Sequence, residues 1–274
     1  EWLASKADAP RAPSARPSLA RGRRIVPSLL LNAAAWCAGA AAIVWAAGRF
    51  VHLVGSLPLA EWARVLSSAV WTLARVSAAV VLGSLWTVPV GIWIGQSDRL
   101  RSRFQPLVQV AASFPAPMLY PLILLALHRL GVGLGIGAVI LMLVGIQWYL
   151  LFNVIAGASA VPDDLREVAR TYHFTSSQRW WTVWWPGVFP YLITGWVTAT
   201  GGAWNASIVA EYVSVGPHEV FVTPGLGSLI SIAASQGQYH VLAAGVLMMS
   251  LVVILINRYV WKPLYRLAEV RYAC

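Results

Sequence analysis

Residues Val161 to Pro190 read VPDDLREVARTYHFTSSQRWWTVWWPGVFP, and they interrupt a chain that is otherwise largely apolar. Pro162, Asp163 and Asp164 are typical of a helix start. Proline suits the first turn, and acids suit the positive end of the helix dipole. One short helix is therefore predicted over Leu165 to Tyr172.

A second short helix is predicted after it. One of three hydroxyl residues, Thr175 to Ser177, can cap a helix that runs to Trp185. Pro186 and Pro190 are expected to end that helix and to direct the chain back into the membrane. Tryptophans recur there at helical spacing and are expected along the headgroup layer, which tryptophan favours. They are Trp180, Trp181, Trp184 and Trp185. Segment 161–190 would thus form two helices and a turn below the bilayer, a knob suited to docking another protein.

Composition indicates the class of protein around this segment. Of the 274 residues, 58% are hydrophobic and 11% are charged, whereas soluble domains carry about 25% charged residues. The mean hydropathy is +0.67. Fifteen tryptophans add to this, because tryptophan collects at membrane interfaces. The sequence therefore predicts an all-α, multi-spanning membrane protein.

Six apolar stretches approach or exceed the roughly 20 residues that a spanning helix needs. They cover about 29–54, 67–94, 104–127, 134–156, 188–213 and 239–261. The partly polar stretch 57–65 is expected to lie along the outer membrane surface as an amphipathic turn. The prolines of segment 113–118 are expected to break the third span near its middle.

Charge gives the orientation of these spans. The net charge is +10, and sixteen of the twenty Lys and Arg residues lie in segments that six spans would leave in the cytoplasm. This alternation follows the positive-inside rule and predicts cytoplasmic N- and C-termini. Contact with anionic membrane lipid accounts for the basic excess, so nucleic acid is not expected as a partner.

The ends of the chain have a different composition. Because the first residue is Glu1, we expect a processed, truncated or excised piece. Residues 1–28 are predicted to be a disordered cytoplasmic tail or an interdomain linker, being rich in Ala, Pro, Ser and Arg toward their start. Residues 29–274 are predicted to be the membrane domain, with the cytoplasmic segment 161–190 inside it.

Motifs for catalysis or metal binding are missing from the sequence. No two of the five histidines stand four apart, and no nucleophile motif or P-loop occurs. The glycine-rich run Gly131 to Gly137 follows no predicted strand, so close helix packing explains it better than nucleotide binding. We expect no catalytic, metal or cofactor site in this chain.

Polar residues within the predicted spans are candidates for a solute path, because burying them in lipid is costly. One group of them lies in span five and another at the break in span three. For the group in span five, interhelical hydrogen bonding and a solute path are both open explanations. Arg75 is expected to snorkel or to pair with a carboxylate. The candidate path residues are Ser113, Pro115, Pro117, Trp204, Asn205, Ser207 and Glu211.

The segment 161–190 resembles the signature loop of the permease subunits of ABC importers. In that pattern Glu-Ala-Ala is followed by three residues, a Gly, and about nine residues before a hydrophobic–Pro ending. Here Glu167-Val168-Ala169 stands for the first part, and Pro186 or Pro190 closes it. His173 occupies the position of the Gly, which departs from the family and leaves the geometry of the turn undetermined.

The resemblance extends from about residue 60 to the end of the chain. It is greatest to the nitrate, sulfonate, taurine and bicarbonate group, through 113–117, 204–211 and 257–266. The last two resemble the C-terminal halves of permeases with two fused domains. It implies the type I importer fold and a cell inner membrane location. It also implies a second permease domain (a second copy or a fused half), ABC ATPase subunits that bind ATP, and a periplasmic or lipoprotein solute-binding protein.

The same resemblance assigns docking on the ATPase to the knob. The implied contact residues are Leu165, Arg166, Glu167, Ala169, Arg170, Thr171, Tyr172, His173 and Gln178. Two other functions stay open. A secondary transporter would need carboxylates for a coupling ion near mid-membrane, and a membrane scaffold would need no polar path.

Overall fold

A computed structural model describes residues 25–215 and 219–272. The chain divides into two compact units, Glu1–His52 and Leu53–Cys274. Most of the predicted tail or linker 1–28 lies outside the described residues. Helix α1, Ile25–Gly55, covers the first predicted span.

The second unit is mainly helical. Its elements in chain order are α2 Leu59–Gly95, α3 Asp98–Ser113, a 3-10 turn Ala116–Leu119, α4 Tyr120–Arg129, α5 Leu134–Ala160, α6 Asp163–Thr171, α7 Ser176–Arg179, a π turn Trp180–Trp184 and α8 Trp185–Ala210. They are followed by β1 Tyr212–Val215, β2 Glu219–Val222, α9 Leu226–Ser235, α10 Tyr239–Ile256, a second π turn Asn257–Trp261 and α11 Lys262–Tyr272.

Long apolar helices account for most of the predicted spans. Among the described residues, four are long and apolar enough to cross a membrane: 31–55, 59–95, 134–160 and 239–271. The bent pair 98–113 and 116–129 makes a fifth if it is one span. Helix α8, the predicted fifth span, is 26 residues long but is not among these. The six-span count and the cytoplasmic termini stay predictions.

Helices α2, α5 and α8 form the centre of the second unit. Small residues let α2 and α5 approach closely, as in other membrane helix pairs. A Cβ built on Gly91 would lie 2.6 Å from Cγ1 of Val154, and one on Gly95 would lie 2.7 Å from Cβ of Ala158. Large apolar side chains such as Leu150 and Ile146 fill the core between the helices.

Two sequence-based predictions of local structure differ from the structure. The stretch 57–65 is not a separate amphipathic turn, because α2 begins at Leu59 and continues to Gly95 without a break. Nor do Pro186 and Pro190 end a helix. Pro186 lies in the first turn of α8, where its missing N–H costs little, and Pro190 lies inside that helix. The strands and α9 were not predicted.

The break in the third span is confirmed. Helix α3 ends at Ser113, the 3-10 turn follows, and α4 leaves at an angle of 71° to α3. Pro115 and Pro117 lie at this bend, where their missing N–H groups remove no helix hydrogen bond that the fold needs.

Candidate functional site

The knob begins where α5 ends. Pro162 precedes α6 in an extended conformation, and Asp163 and Asp164 occupy the first helical turn, as predicted. The apolar side of α6 is buried through Ala169, which is 2% exposed and packs with Val161 and Val183. The knob is therefore a packed structure and not a loose loop.

His173 makes the turn between the two short helices. Its φ is +51°, the left-handed region that favours glycine. The N–H of His173 donates to the carbonyl of Arg170, and the N–H of Phe174 donates to that of Ala169, both at 3.0 Å. These two bonds form the Schellman motif that ends many helices. The turn thus keeps the geometry that a glycine would take, although a histidine occupies it.

Thr175 caps the helix that follows. Its Oγ1 accepts from the N–H of Gln178 at 3.3 Å, and its own N–H donates to Oε1 of Gln178 at 2.8 Å. This reciprocal pair is a capping box. Of the three hydroxyl residues in Thr175 to Ser177, the structure selects the first.

The second helix of the knob leads directly into the membrane helix. After α7 the chain widens into the π turn Trp180–Trp184, and α8 starts at Trp185. The N–H of Trp185 donates to the carbonyl of Trp180. Motion of the knob is therefore connected to α8 through unbroken helical backbone.

Arg166 holds the knob to the end of α5. Its Nη2 donates to the carbonyl of Ala158 at 3.0 Å, and its Nη1 lies 3.3 Å from a carboxylate oxygen of Asp163. The guanidinium also lies over the ring of Trp184, at 5.4 Å from the ring centre. Arg166 thus positions α6 against the membrane helices.

The predicted contact residues divide by exposure. Arg166 is partly buried and Ala169 is buried, so both lie on the inner side of the knob. The others are exposed: Leu165, Glu167, Arg170, Thr171, Tyr172, His173 and Gln178. Nothing in the structure tests contact with an ATPase, so these assignments stay predictions.

A cavity of about 390 Å³ lies beside the bend between α3 and α4. Four of the candidate path residues line it: Ser113, Pro115, Pro117 and Asn205. Tyr120 and Tyr149 complete the polar part of the wall, and among the described residues that line it none is charged. This chamber brings the broken span and one face of α8 together, and a role of these four residues in a solute path stays a prediction.

The other three candidates lie inside the protein. Trp204 is 2% exposed, and Ser207 and Glu211 are fully buried. Ser207 Oγ donates to the carbonyl of Trp204 at 2.7 Å. None of the three lines the chamber in this structure, and their part in a path stays a prediction.

Glu211 is the centre of a buried polar network. Arg75 Nη1 donates to its Oε1 at 2.9 Å, and Thr72 Oγ1 donates to the same carboxylate at 2.9 Å. The N–H of Gly227 donates to Oε2 at 2.9 Å. The expectation that Arg75 would snorkel or pair with a carboxylate is resolved in favour of pairing.

The network ties the segment that follows β2, which pairs antiparallel with β1, to the helices. Arg75 also donates to the carbonyl of Pro224 at 2.7 Å and to Thr223 Oγ1 at 3.0 Å. The N–H of Leu226 donates to Thr72 Oγ1 at 2.7 Å. Gly225 lies against the carboxylate of Glu211, where a side chain would clash. Sequence reasoning missed Thr72, Thr223 and the Gly225–Gly227 turn.

Curated proteins similar to this chain are permeases of solute importers. It is 27% identical over 184 residues to the nitrate import permease protein NrtB of Synechocystis sp.. It is 26% identical over 189 residues to the bicarbonate transport system permease protein CmpB of Synechococcus elongatus, and 25% over 187 residues to the taurine transport system permease protein TauC of Escherichia coli. The matches cover 67–69% of this chain and 62–64% of the relatives, less than two thirds of their length.

Solved structures show the same fold. A chain of the MetNI methionine ABC transporter in an inward-facing conformation matches with a TM-score of 0.65. The match has 19% identity and covers 77% of this chain and 99% of that one. The second unit therefore has the fold of ABC importer permeases.

The family follows from the sequence of the same region. The model of the binding-protein-dependent transport system inner membrane component matches residues 87–260, a range that includes the knob, the chamber wall on α8 and Glu211. Because this match covers more than half of the chain, the chain belongs to the family of inner membrane components of binding-protein-dependent transport systems.

Proposed function

We propose that this chain is the permease subunit of an ATP-driven importer, which forms part of the path for a small solute and is driven by a separate ATPase. The knob carries this proposal. It is capped at both of its helices, held by Arg166, and continuous with α8 through the π turn. A rigid knob of this kind can convert movement of a partner into movement of a membrane helix.

ATP is bound and hydrolysed by the partner in this proposal. The knob docks on it through the exposed side of α6, on which Glu167 lies. A second permease domain, as a second copy or a fused half, completes the chamber beside the bend. A periplasmic or lipoprotein solute-binding protein delivers the solute to the outer face.

The solute proposed is a small anion such as nitrate, bicarbonate or a sulfonate such as taurine. The relatives support this class, because NrtB, CmpB and TauC are named for nitrate, bicarbonate and taurine. The chamber has hydroxyl and amide groups but no charge among its described lining residues. Weak neutral contacts let a solute leave as easily as it enters, so selection is assigned to the binding protein.

A secondary transporter is a poorer fit to the same geometry. Its coupling ion would need an available carboxylate near mid-membrane. Glu211 is fully buried and already accepts hydrogen bonds from Arg75, Thr72 and Gly227. A scaffold without transport would not need the polar chamber.

Reconstitution with the cognate ATPase tests the proposal. We expect ATP hydrolysis in vesicles to rise when the permease and loaded binding protein are added. Glu167→Lys should lower that stimulation by about tenfold, which corresponds to about 1.4 kcal/mol of lost coupling. Glu269→Lys, the same charge reversal at an exposed position of α11 far from the knob in sequence, is the control. Full stimulation with Glu167→Lys would refute the docking assignment, and uptake competition among nitrate, bicarbonate and taurine identifies the solute.

A further inference from the structure

A small basic cavity lies on the inner side of the knob. Its volume is about 80 Å³, and its walls include Arg166, Arg170, Arg179 and Gln96. Three arginines line this one small space, and an anion among them would offset the repulsion between their like charges. The carboxylate of Asp163 neutralises Arg166 only in part, because its side chain is 93% exposed to solvent.

Donor groups remain available in this cavity. The Nε of Arg166 is buried and has no hydrogen-bond partner among the described residues. The guanidinium of Arg170 forms no hydrogen bond or ion pair within the part of the chain that the structure describes. Arg179 uses Nε to donate to the carbonyl of Phe174 at 3.0 Å, which fixes its stem. Guanidinium groups in such positions suit a tetrahedral oxyanion, which accepts several charge-assisted hydrogen bonds.

The location of the cavity identifies the kind of anion. Gln96 caps the C-terminus of α2, Arg166 reaches the last turn of α5, and Trp184 lies just before α8. Three helix ends thus meet where the cytoplasmic headgroup layer is predicted. Phosphate groups of anionic lipid are concentrated in this layer.

The cavity lies next to the docking side of α6. Residues three and four apart are neighbours on a helix surface, so Arg166, Ala169 and Arg170 lie along the side that faces the cavity. Arg170 is exposed at its rim, and Glu167, three residues before it, lies on the adjoining exposed side with Thr171. An ATPase docked through Glu167 could also reach Arg170, so anion binding has to be measured on the permease alone.

We propose that the cavity of Arg166, Arg170 and Arg179 binds a phosphate-type oxyanion, supplied by a phospholipid headgroup or by free phosphate. The bound anion bridges the two short helices of the knob, since Arg170 belongs to α6 and Arg179 to α7. It would stiffen the connection between the knob and the membrane helices. The site needs only this chain, so its test is independent of the proposed transport function.

The test uses the full permease chain without an ATPase. In detergent, inorganic phosphate is titrated against chloride at equal ionic strength, and the unfolding temperature is recorded. In a second arm, the chain is placed in phosphatidylcholine vesicles with or without phosphatidylglycerol. Arg170→Gln removes an exposed donor and is expected to fold, Arg170→Lys keeps the charge, and Arg99→Gln is a matched control at another exposed arginine on the predicted cytoplasmic side.

We expect a saturable rise of the unfolding temperature in the wild type and Arg99→Gln. Arg170→Gln should bind about tenfold more weakly, as expected for one lost hydrogen bond to a charged group, and Arg170→Lys should lie between. A rise with phosphate identifies a free anion, and a rise only with phosphatidylglycerol identifies a lipid headgroup. Equal responses of Arg99→Gln and Arg170→Gln, or no response in either arm, would overturn the proposal.

Discussion

His173 adopts a backbone conformation that histidine seldom takes, with φ at +51°. A residue with a Cβ in this region costs roughly 1–2 kcal/mol relative to the right-handed region. The Schellman bonds at Arg170 and Ala169 hold it there. The side chain of His173 is exposed, so replacing it removes no packing from the core.

Replacement His173→Gly is expected to keep the knob folded and its coupling intact, because glycine takes positive φ without strain. Tyr172→Gly is the matched control. Tyr172 is exposed and directly precedes His173, but its φ is −84°. Glycine there relieves no strain and only increases the conformational freedom of the backbone in the folded and unfolded states. We expect His173→Gly to be more stable than Tyr172→Gly by about 1 kcal/mol in chemical unfolding in mixed micelles. Equal stabilities would show that the positive φ carries no strain.

Arg75 and Glu211 form an ion pair with almost no exposure, at 10% and 0% for their side chains. Removing one partner leaves the other charge buried alone, which costs about 3–5 kcal/mol. Arg75→Met is therefore expected to unfold the chain at far lower denaturant than the wild type. The double variant Arg75→Met with Glu211→Gln should lose less than the sum of the two single variants.

An exposed ion pair gives the control for this experiment. Arg101 and Asp98 are 2.8 Å apart, with side chains that are 39% and 91% exposed, and such pairs contribute little. Arg101→Met is expected to change stability by less than about 1 kcal/mol. Additive losses in the Arg75 and Glu211 cycle would mean that the two groups do not stabilise each other.

At the scale of single elements, the start of α7 depends on Thr175. Its hydroxyl and the Gln178 side chain satisfy N–H groups that a helix start leaves open. Thr175→Ala should destabilise this turn by about 1 kcal/mol. Hydrogen exchange at the amide of Gln178 measures the effect. Ser176→Ala, at an exposed neighbour without a capping bond, should leave that exchange unchanged, and equal acceleration in both variants would contradict the capping role.

Local features that depend on residues within one helical turn of each other could be predicted from the sequence. The proline and acids that start α6, the hydroxyl that caps α7 and the prolines that bend the third span all act on adjacent backbone. The error at Pro186 has the same origin. Proline disfavours a helix interior, but Pro186 lies just after a π turn, in a first turn where no N–H is needed.

Contacts between distant residues were not readable. Glu211 is a path candidate in the sequence because it is a polar residue within a predicted span. Its partners Thr72 and Arg75 lie 139 and 136 residues away, and no spacing rule connects them. Helix α9 was not predicted, because its 10 residues are too few to span a membrane.

At the scale of the whole second unit, the centre and the knob form one mechanical connection. Gly91 and Gly95 bring α2 against α5, and Arg166 joins the last turn of α5 to α6. The π turn joins the other side of the knob to α8. Displacement of the knob should therefore move α5 and α8 together, and α8 carries Asn205 on the chamber wall.

A row of exposed apolar residues lies on α3, the 3-10 turn and α4, the elements that form the bend beside the chamber. Helix α3 has no buried residue. The members of the row are spaced by three or four residues along the chain on both sides of the 71° bend, and they are 50–71% exposed. They are Leu107, Val110, Phe114, Met118 and Leu122. If a second permease domain completes the chamber, it should cover this row.

Cysteine cross-linking tests that arrangement in the intact membrane. With Cys37 and Cys274 replaced by alanine, Met118→Cys is expected to form a disulfide-linked dimer on mild oxidation, because Met118 is 69% exposed beside the chamber. Leu85→Cys is the control, since Leu85 is 68% exposed but lines a different, apolar cavity. The yield of disulfide-linked dimer with Leu85→Cys should be at most about a tenth of that with Met118→Cys. This ratio corresponds to a difference of roughly 1.4 kcal/mol in the free energy of bringing the two cysteines together. A dimer through Leu85 and none through Met118 would show that the partner covers the apolar cavity that Leu85 lines. Cross-links at neither position would indicate that the second domain is a different chain, which a paired cysteine on that chain would then detect.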